Sequence, residues 1–221
     1  MNLPDVDFAQ QLRVIGFISL LALIPFVLVL MTSFTRISII LTFLRQALGT
    51  TVPSSQIIIG LSLILTGYVM HPVITEINDQ AIAPYFESQE KDKDLKGFVE
   101  KAWPPVRNFM LFHTREKDLK LFLDMSHIEI AQDEVFDLSS IPWYCAVPSF
   151  VLSELRTAFM MGFLLFLPFL VIDMVVTSLL MSMGMVLLPP VMISFPFKIL
   201  LFVVFDGWRL VVQQIVNGYQ I

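Results

Sequence analysis

The chain is poor in the residues that build disulfide, metal and catalytic sites. It has one cysteine, Cys145, and three histidines in 221 residues. A single cysteine excludes an intramolecular disulfide framework, and no Cys/His cluster has metal-site spacing. The N-terminus has no basic region before its first apolar run, so it does not match a signal peptide. Ser, His and acidic residues fall in no catalytic motif, and the sequence therefore predicts neither an enzyme nor a cofactor.

Apolar residues are abundant. They make up 56% of the chain, the mean hydropathy is +0.77, and charged residues make up only 15%. These values indicate a membrane protein. The charge is concentrated in one stretch, residues 76–150, which holds 14 of the 19 acids and 8 of the 14 bases. This acidic balance argues against nucleic acid as a partner and against a polybasic lipid anchor.

The charge distribution divides the chain into three parts. Residues 1–75 predict an N-terminal hydrophobic helical hairpin, residues 76–147 a small polar helical insert, and residues 148–221 a C-terminal hydrophobic helical hairpin. Each hairpin contributes two apolar segments that are long enough for a bilayer. The predicted fold is therefore all-α, with four hydrophobic helical segments kinked by proline.

The first apolar segment, residues 14–35, contains no charge. Pro25 in its middle predicts a kink, because proline removes a backbone hydrogen bond. Arg36, a candidate buried polar residue, and Arg45 follow on one side of a helix with an apolar stripe. That stretch has no acid, so we expect it on the inner side of a membrane, in an interface or against a partner.

The second apolar segment comprises residues 57–74. Gly60 and Gly67 share one helical face, as small residues do where helix backbones approach closely. His71 and Pro72 predict the end of the segment. A single histidine at a helix end is more often a partly hydrated capping group than a proton carrier.

The polar insert starts with a charge run, E-S-Q-E-K-D-K-D-L-K, that predicts a loop or an exposed helix face. Pro104 and Pro105 then predict a helix start. Phe109 and Phe122 would diverge on one straight helix, so a break at Thr114 is expected to let them converge. The pattern indicates a small helical core.

Ionisable residues interrupt the C-terminal apolar part. Glu154 and Arg156 are two residues apart on a helix and do not face each other, so each needs another partner. Asp173 lies within an apolar segment, where a carboxylate must find a cation, a hydrogen bond or water. Lys198 in the fourth segment needs a carboxylate. The candidates are Glu154, Asp173 and Asp206.

Three methionines surround Gly184 between the last two segments. Met181, Met183 and Met185 alternate, so they cannot share one helical face, and a loop is the better interpretation. Methionine is flexible and polarizable, which suits a deformable seal. Gap-filling in an ordinary core is the equally weighted alternative.

Several motifs resemble one family. The stretches P-S-F-V-L-S-E-L-R-T-A-F-M-M-G-F and P-P-V-M-I-S-F-P-F-K-I-L-L-F look like the two signatures of the FliP family of flagellar type III secretion export-gate proteins, which includes the injectisome SctR proteins. M-T-S-F-T-R-I-S-I-I-L-T-F-L-R-Q-A-L-G-T and I-D-M-V-V-T-S-L-L-M-S-M-G-M agree as well. The resemblance covers most of the chain and is weakest in the acidic insert.

The resemblance implies a pore for unfolded flagellar proteins in the bacterial inner membrane, within the flagellar basal body and with a large periplasmic portion. About five copies of the chain would assemble with FliQ and FliR as a helical oligomer. Components of the FlhB and FlhA type would be further partners. An injectisome export-gate subunit is the main alternative. An ion channel or secondary transporter fits less well, because no broken-helix repeat is visible.

The resemblance also implies roles for individual residues. Met181, Met183 and Met185 would form a gasket that closes the pore. Glu154 of one subunit would form a salt bridge with Lys198 of another. Phe109 and Phe122 match periplasmic aromatic residues that help subunits associate, and Asp173 and Arg36 remain candidate buried polar residues.

Overall fold

The computed structural model describes residues 8–51, 53–87, 95–128, 140–185 and 187–219. Regular structure in these ranges is helical, as the sequence predicts. The α-helices in chain order are α1 (Phe8–Met31), α2 (Phe34–Leu48), α3 (Ser55–Ile77), α4 (Ala83–Glu87), α5 (Leu95–His113), α6 (Glu116–Met125), α7 (Trp143–Ser182), α8 (Pro190–Val204) and α9 (Gly207–Asn217). A π-helical turn, Asn78–Ile82, joins α3 to α4.

The described residues contain two helices that are long and apolar enough to cross a membrane. One is the continuous stretch Ser55–Phe86, of 32 residues, and the other is α7, of 40 residues. Two bent pairs pass the same criteria together: Pro25–Met31 with α2, at 79°, and α8 with α9, at 63°. Counting each bent pair as one span gives up to four candidates.

The core forms where α2 packs on the first half of α7. The apolar stripe of α2 is fully buried there and consists of Ile37, Ile40, Leu41 and Leu44. Gly162 of α7 allows the close approach, because a Cβ at this position would lie 2.7 Å from the ring of Phe43. The predicted amphipathic helix therefore covers its apolar face within its own chain.

Two helix boundaries differ from the predictions, because proline neither ends nor begins these helices. Helix α1 continues across Pro25, and the bend follows it at Thr32–Ser33. There the hydroxyl of Thr32 donates to the carbonyl of Leu28, a contact that bends helices. Helix α3 continues through His71 and Pro72 to Ile77, and α5 begins at Leu95 rather than at Pro104. Each proline removes one backbone hydrogen bond, and the long helix continues through its remaining hydrogen bonds.

Two other predictions fail in part. The break near Thr114 is present, since α5 ends at His113 and α6 begins at Glu116. However, Phe109 belongs to the main core, whereas Phe122 packs against a smaller cluster around Leu123 and Cys145. Gly60 and Gly67 have no atom within 4 Å of an added Cβ, so none of the described helices packs closely against them. Most of the charge run, residues 88–94, lies outside the described residues.

Candidate functional site

The first buried ion pair joins α2 to α7. Arg36 is 4% exposed and Glu154 is fully buried. The Arg36 Nε donates to Glu154 Oε2 at 2.8 Å, and Nη2 donates to Oε1, so the pair is bidentate. Burying two charges costs several kcal/mol, and this cost is offset only where geometry and further hydrogen bonds are good. The planar fork of arginine meets the first condition.

Tyr219, near the C-terminal end, supplies the further hydrogen bonds. Its hydroxyl donates to Glu154 Oε2 at 2.6 Å, and its ring lies under the Arg36 guanidinium, 4.0 Å from the ring centroid. Arg36 Nη1 also donates to the carbonyl of Gly218 at 3.0 Å. Burial, reinforced by the negative charge of Glu154, raises the pKa of the Tyr219 phenol well above its usual value. The phenol therefore stays protonated and remains a donor to the carboxylate.

The second ion pair lies between α7 and α8. Lys198 Nζ donates to Asp173 Oδ2 at 2.7 Å and to the carbonyl of Ala47 at 3.0 Å. The hydroxyl of Ser194 donates to Asp173 Oδ1 at 2.6 Å. Ala47 lies in the last turn of α2, where the partial negative charge of the helix end favours a cation. Asp173 thus has both the cation and the hydrogen bond that an acid in an apolar segment requires.

Within the chain, Lys198 pairs with Asp173, one of the three carboxylates that the sequence offered, and Glu154 pairs with Arg36, which the sequence did not indicate as its partner. The partners of Glu154 lie 118 and 65 residues away in sequence, so local spacing carries no signal for them. A salt bridge between Glu154 and Lys198 of neighbouring subunits stays a prediction, and it requires an exchange of partners.

The methionines lie at the tip between α7 and α8. Met181 is in the last turn of α7, Met183 caps the helix, and Met185 follows Gly184. Gly184 has a φ of 74°, and the amide of Met185 donates to the carbonyl of Leu180. This pattern is a Schellman motif, which needs a residue with positive φ. The three side chains are 43–67% exposed.

An apolar groove lies below the tip, along α7 and α8. It has a volume of about 470 Å³, and Met183, Leu180, Ile193 and Phe197 are among its lining residues. Most of the outer surface of this hairpin is apolar and exposed in the single chain. Such a surface is typical of contact with lipid or with other subunits.

The two candidate assembly aromatics are in different environments. The Phe109 ring is 9% exposed and contacts Phe150 and Tyr219. Phe122 is half-buried, and its carbonyl accepts a hydrogen bond from the Cys145 thiol at 3.7 Å. Phe109 therefore joins the insert to the core, and Phe122 packs within the insert and against the start of α7.

Sequence reasoning missed a hydrogen-bond relay at the start of α6. The hydroxyl of Ser153, on α7, accepts the backbone N–H of Arg115 at 3.0 Å and donates to Asp118 at 2.7 Å. Arg115 is the N-cap of α6, and Asp118 is its third residue. In a capping box these two residues of one helix bond directly. Here the Ser153 hydroxyl lies between them. The only sequence signal for this arrangement was an acidic residue, Asp118, three positions after the N-cap.

Long apolar helices that enclose paired ionisable residues are characteristic of multi-helix membrane proteins. Comparison with known families specifies this class. The FliP family model matches residues 17–215, and the chain therefore belongs to the FliP family. FliP is a structural family of the flagellar export gate and is not known as an enzyme.

Similar proteins cover most of the chain. It is 46% identical over 214 residues to the flagellar biosynthetic protein FliP of Bacillus subtilis, covering 96% of this chain and 94% of that protein. It is 43% identical over 221 residues to that of Aquifex aeolicus, covering 100% of this chain and 90% of that protein. The protein of Pectobacterium carotovorum is 44% identical over 200 residues, covering 90% and 75% respectively.

Proposed function

We propose that this chain is the pore subunit of the flagellar type III export gate in the bacterial inner membrane. With FliQ and FliR it would form a channel for unfolded flagellar proteins, within the basal body and next to FlhB- and FlhA-type components. The insert, residues 76–147, would lie on the periplasmic side. The main supporting observation is the methionine tip, in which Met181, Met183 and Met185 are exposed between two long apolar helices.

The chemistry of the tip suits a seal. An uncharged, apolar constriction can stop ions by dewetting without a charged filter. Methionine side chains are unbranched and flexible, so they can close around irregular shapes and yield to a passing polypeptide. The Schellman motif at Gly184 fixes the backbone beneath them, so the side chains move while their attachment does not.

Assembly into a helical oligomer of about five copies would cover the apolar faces of α7 and α8. A helical arrangement needs a head-to-tail interface between two different surfaces of each subunit. We propose that Lys198 and Glu154 of adjacent subunits form a salt bridge there. Because each is paired within its chain, assembly would exchange Asp173 and Arg36 for the new partners.

The two aromatic residues of the insert would support assembly in different ways. Phe109 is buried against Tyr219 and would act by positioning α5. Phe122 is partly accessible beside exposed Leu121 and Met125, and it would contact a neighbouring subunit more directly.

A conductance measurement on the reconstituted gate tests the gasket. Changing Met181, Met183 and Met185 together to Ala should open an ion leak, because it widens and softens the constriction. Met125 and Met174 are also exposed methionines but lie outside the tip, so their double Ala variant is the matched control. Equal conductance of the tip variant, the control and the wild type would rule out the gasket.

Cross-linking tests the exchange of ion-pair partners. In a Cys145→Ala background, one chain carries Glu154→Cys and a co-expressed, differently tagged chain carries Lys198→Cys. Oxidation should give a disulfide-linked dimer of the two tags when the residues meet across subunits. A parallel pair with Asp173→Cys in place of Glu154→Cys serves as the control. Failure of the first pair to link in an assembled gate would contradict the intersubunit bridge but not the gasket.

A further inference from the structure

A single histidine joins the end of α5 to the C-terminal residues. His113 is the last residue of α5 and is half-buried. Its Nδ1 lies 2.8 Å from the carbonyl oxygen of Phe109, and its Nε2 lies 3.0 Å from the carbonyl oxygen of Tyr219. Both partners are backbone oxygens, which only accept hydrogen bonds.

These two contacts together favour one protonation state. A neutral imidazole has one N–H and one lone pair, so it can donate to one carbonyl while its lone pair faces the other. The imidazolium has two N–H groups and donates to both. A position at the end of a helix also favours a cation, because the backbone carbonyls there carry partial negative charge. Placed as it is, His113 satisfies both oxygens only when it is charged.

Most charged and titratable groups near the ring have partners of their own in the described structure. Arg36 is paired with Glu154, so together they add little net charge. The Tyr219 phenol donates to Glu154, and burial keeps it protonated by raising its pKa. Arg115 follows two residues after the histidine, and Asp118 of α6 accepts a hydrogen bond from α7. Histidine is the residue type of this cluster whose charge can change between about pH 5 and 8.

We propose that His113 is a pH-sensitive latch, which as the imidazolium ties the backbone at Tyr219 to the end of α5 and on deprotonation loses one of its two hydrogen bonds. Because the charged imidazole makes both hydrogen bonds, the latched state stabilises the protonated form. Its stabilisation is therefore present while the imidazole is charged and is lost when the ring deprotonates at higher pH. The latch connects the insert to the C-terminal end of the core, and it does not depend on the export role.

Histidine nitrogen NMR tests the protonation state directly. The full chain, labelled with ¹⁵N at its three histidines, is titrated in detergent or in its native complex. Separate Gln substitutions of His71, His113 and His127 assign the signals. Both ring nitrogens of His113 should keep imidazolium shifts to higher pH than those of the exposed His71. A neutral pattern for His113 while His71 is still charged would overturn the proposal.

Hydrogen exchange tests the consequence for the C-terminal end. The amides of Gly218 and Tyr219 donate to carbonyls of α9, so their exchange reports whether this end is held in place. After correction for intrinsic rates, we expect about tenfold stronger protection at about pH 6 than at about pH 8. His113→Gln should abolish this pH dependence and His71→Gln should retain it. The same pH dependence in wild type and His113→Gln would reject the latch, and the NMR titration decides where His113→Gln does not fold.

Discussion

Lys198 and Asp173 form an ion pair with unequal ends. Their charged atoms are 2.7 Å apart, but the lysine side chain is 3% exposed and the aspartate side chain is 31% exposed. Removal of either partner leaves the other without its counter-charge, and the buried lysine ammonium cannot be rehydrated by solvent. The aspartate would keep the Ser194 hydroxyl and gain water. The pair is therefore asymmetric in its response to mutation.

This asymmetry predicts the order of two substitutions. Asp173→Asn should destabilise the chain by about 3 to 5 kcal/mol, because it leaves a buried ammonium without its carboxylate. Lys198→Met, which preserves the shape of the side chain, should cost clearly less. Thermal unfolding of the purified chain in detergent measures both. The exposed pair of Lys96 and Glu100, at 4.0 Å, is the control, and its loss should change nothing measurable.

Two glycines on long helices should respond oppositely to the same substitution. Gly162→Ala places a Cβ 2.7 Å from the Phe43 ring and should cost about 1 to 3 kcal/mol by overpacking the contact between α2 and α7. Gly60→Ala meets open space and should stabilise α3 by up to about 1 kcal/mol, because alanine favours the helix. Denaturant midpoints of the isolated chain distinguish the two.

Gly60 and Gly67 together test a helix contact in the assembled complex. The sequence predicts that Gly60 and Gly67 lie where helix backbones approach closely, and the part of the chain that the structure describes places no such neighbour there. If another subunit packs there, Gly60→Ala should improve chain stability and yet reduce the yield of complex. Unchanged assembly with Gly60→Ala and Gly67→Ala together would contradict a close helix contact at this face.

The Ser153 relay predicts a local effect on α6. Ser153→Ala removes the acceptor of the Arg115 amide and the donor to buried Asp118, and should cost about 1 to 3 kcal/mol. The loss should appear as faster hydrogen exchange in the first turn of α6. Ser182→Ala provides the control, since its exposed hydroxyl only donates to a carbonyl of its own helix. Equal exchange in both variants would show that the relay contributes nothing to capping.

Local sequence patterns were sufficient to predict much of the fold. Charge-free runs and apolar residues that recur every 3.6 positions are both properties of short stretches of sequence. They predicted the apolar helices, the buried face of α2 and the break near Thr114. Long-range pairing was less accessible. Asp173 was one of three candidate partners for Lys198, and only packing of α7 against α8 selected it. The contact of Arg36 with Glu154 and the role of Tyr219 depend on residues far apart in sequence, where no spacing rule applies.

Proline positions were the least informative local signal. Pro104 and Pro105 predicted a helix start, yet α5 extends nine residues before them. The sequence alone does not distinguish a proline in the first turn of a helix from a proline inside it. The outcome depends on whether surrounding contacts compensate for the lost backbone hydrogen bond. The bend after α1 lies at Thr32 and Ser33, where the Thr32 hydroxyl donates to the carbonyl of Leu28.

The raised pKa of Tyr219 predicts a limit to stability at alkaline pH. In the unfolded chain this phenol would ionise near its ordinary pKa of about 10, whereas burial and Glu154 keep it protonated in the fold. A raised folded-state pKa means that the stabilisation is complete below about pH 10 and is lost as the pH rises further. The thermal midpoint of the wild type should therefore fall more steeply above about pH 10 than that of Tyr219→Phe. Tyr68→Phe removes an exposed phenol and should follow the wild-type curve. Parallel curves for wild type and Tyr219→Phe would show that the phenol does not control alkaline unfolding.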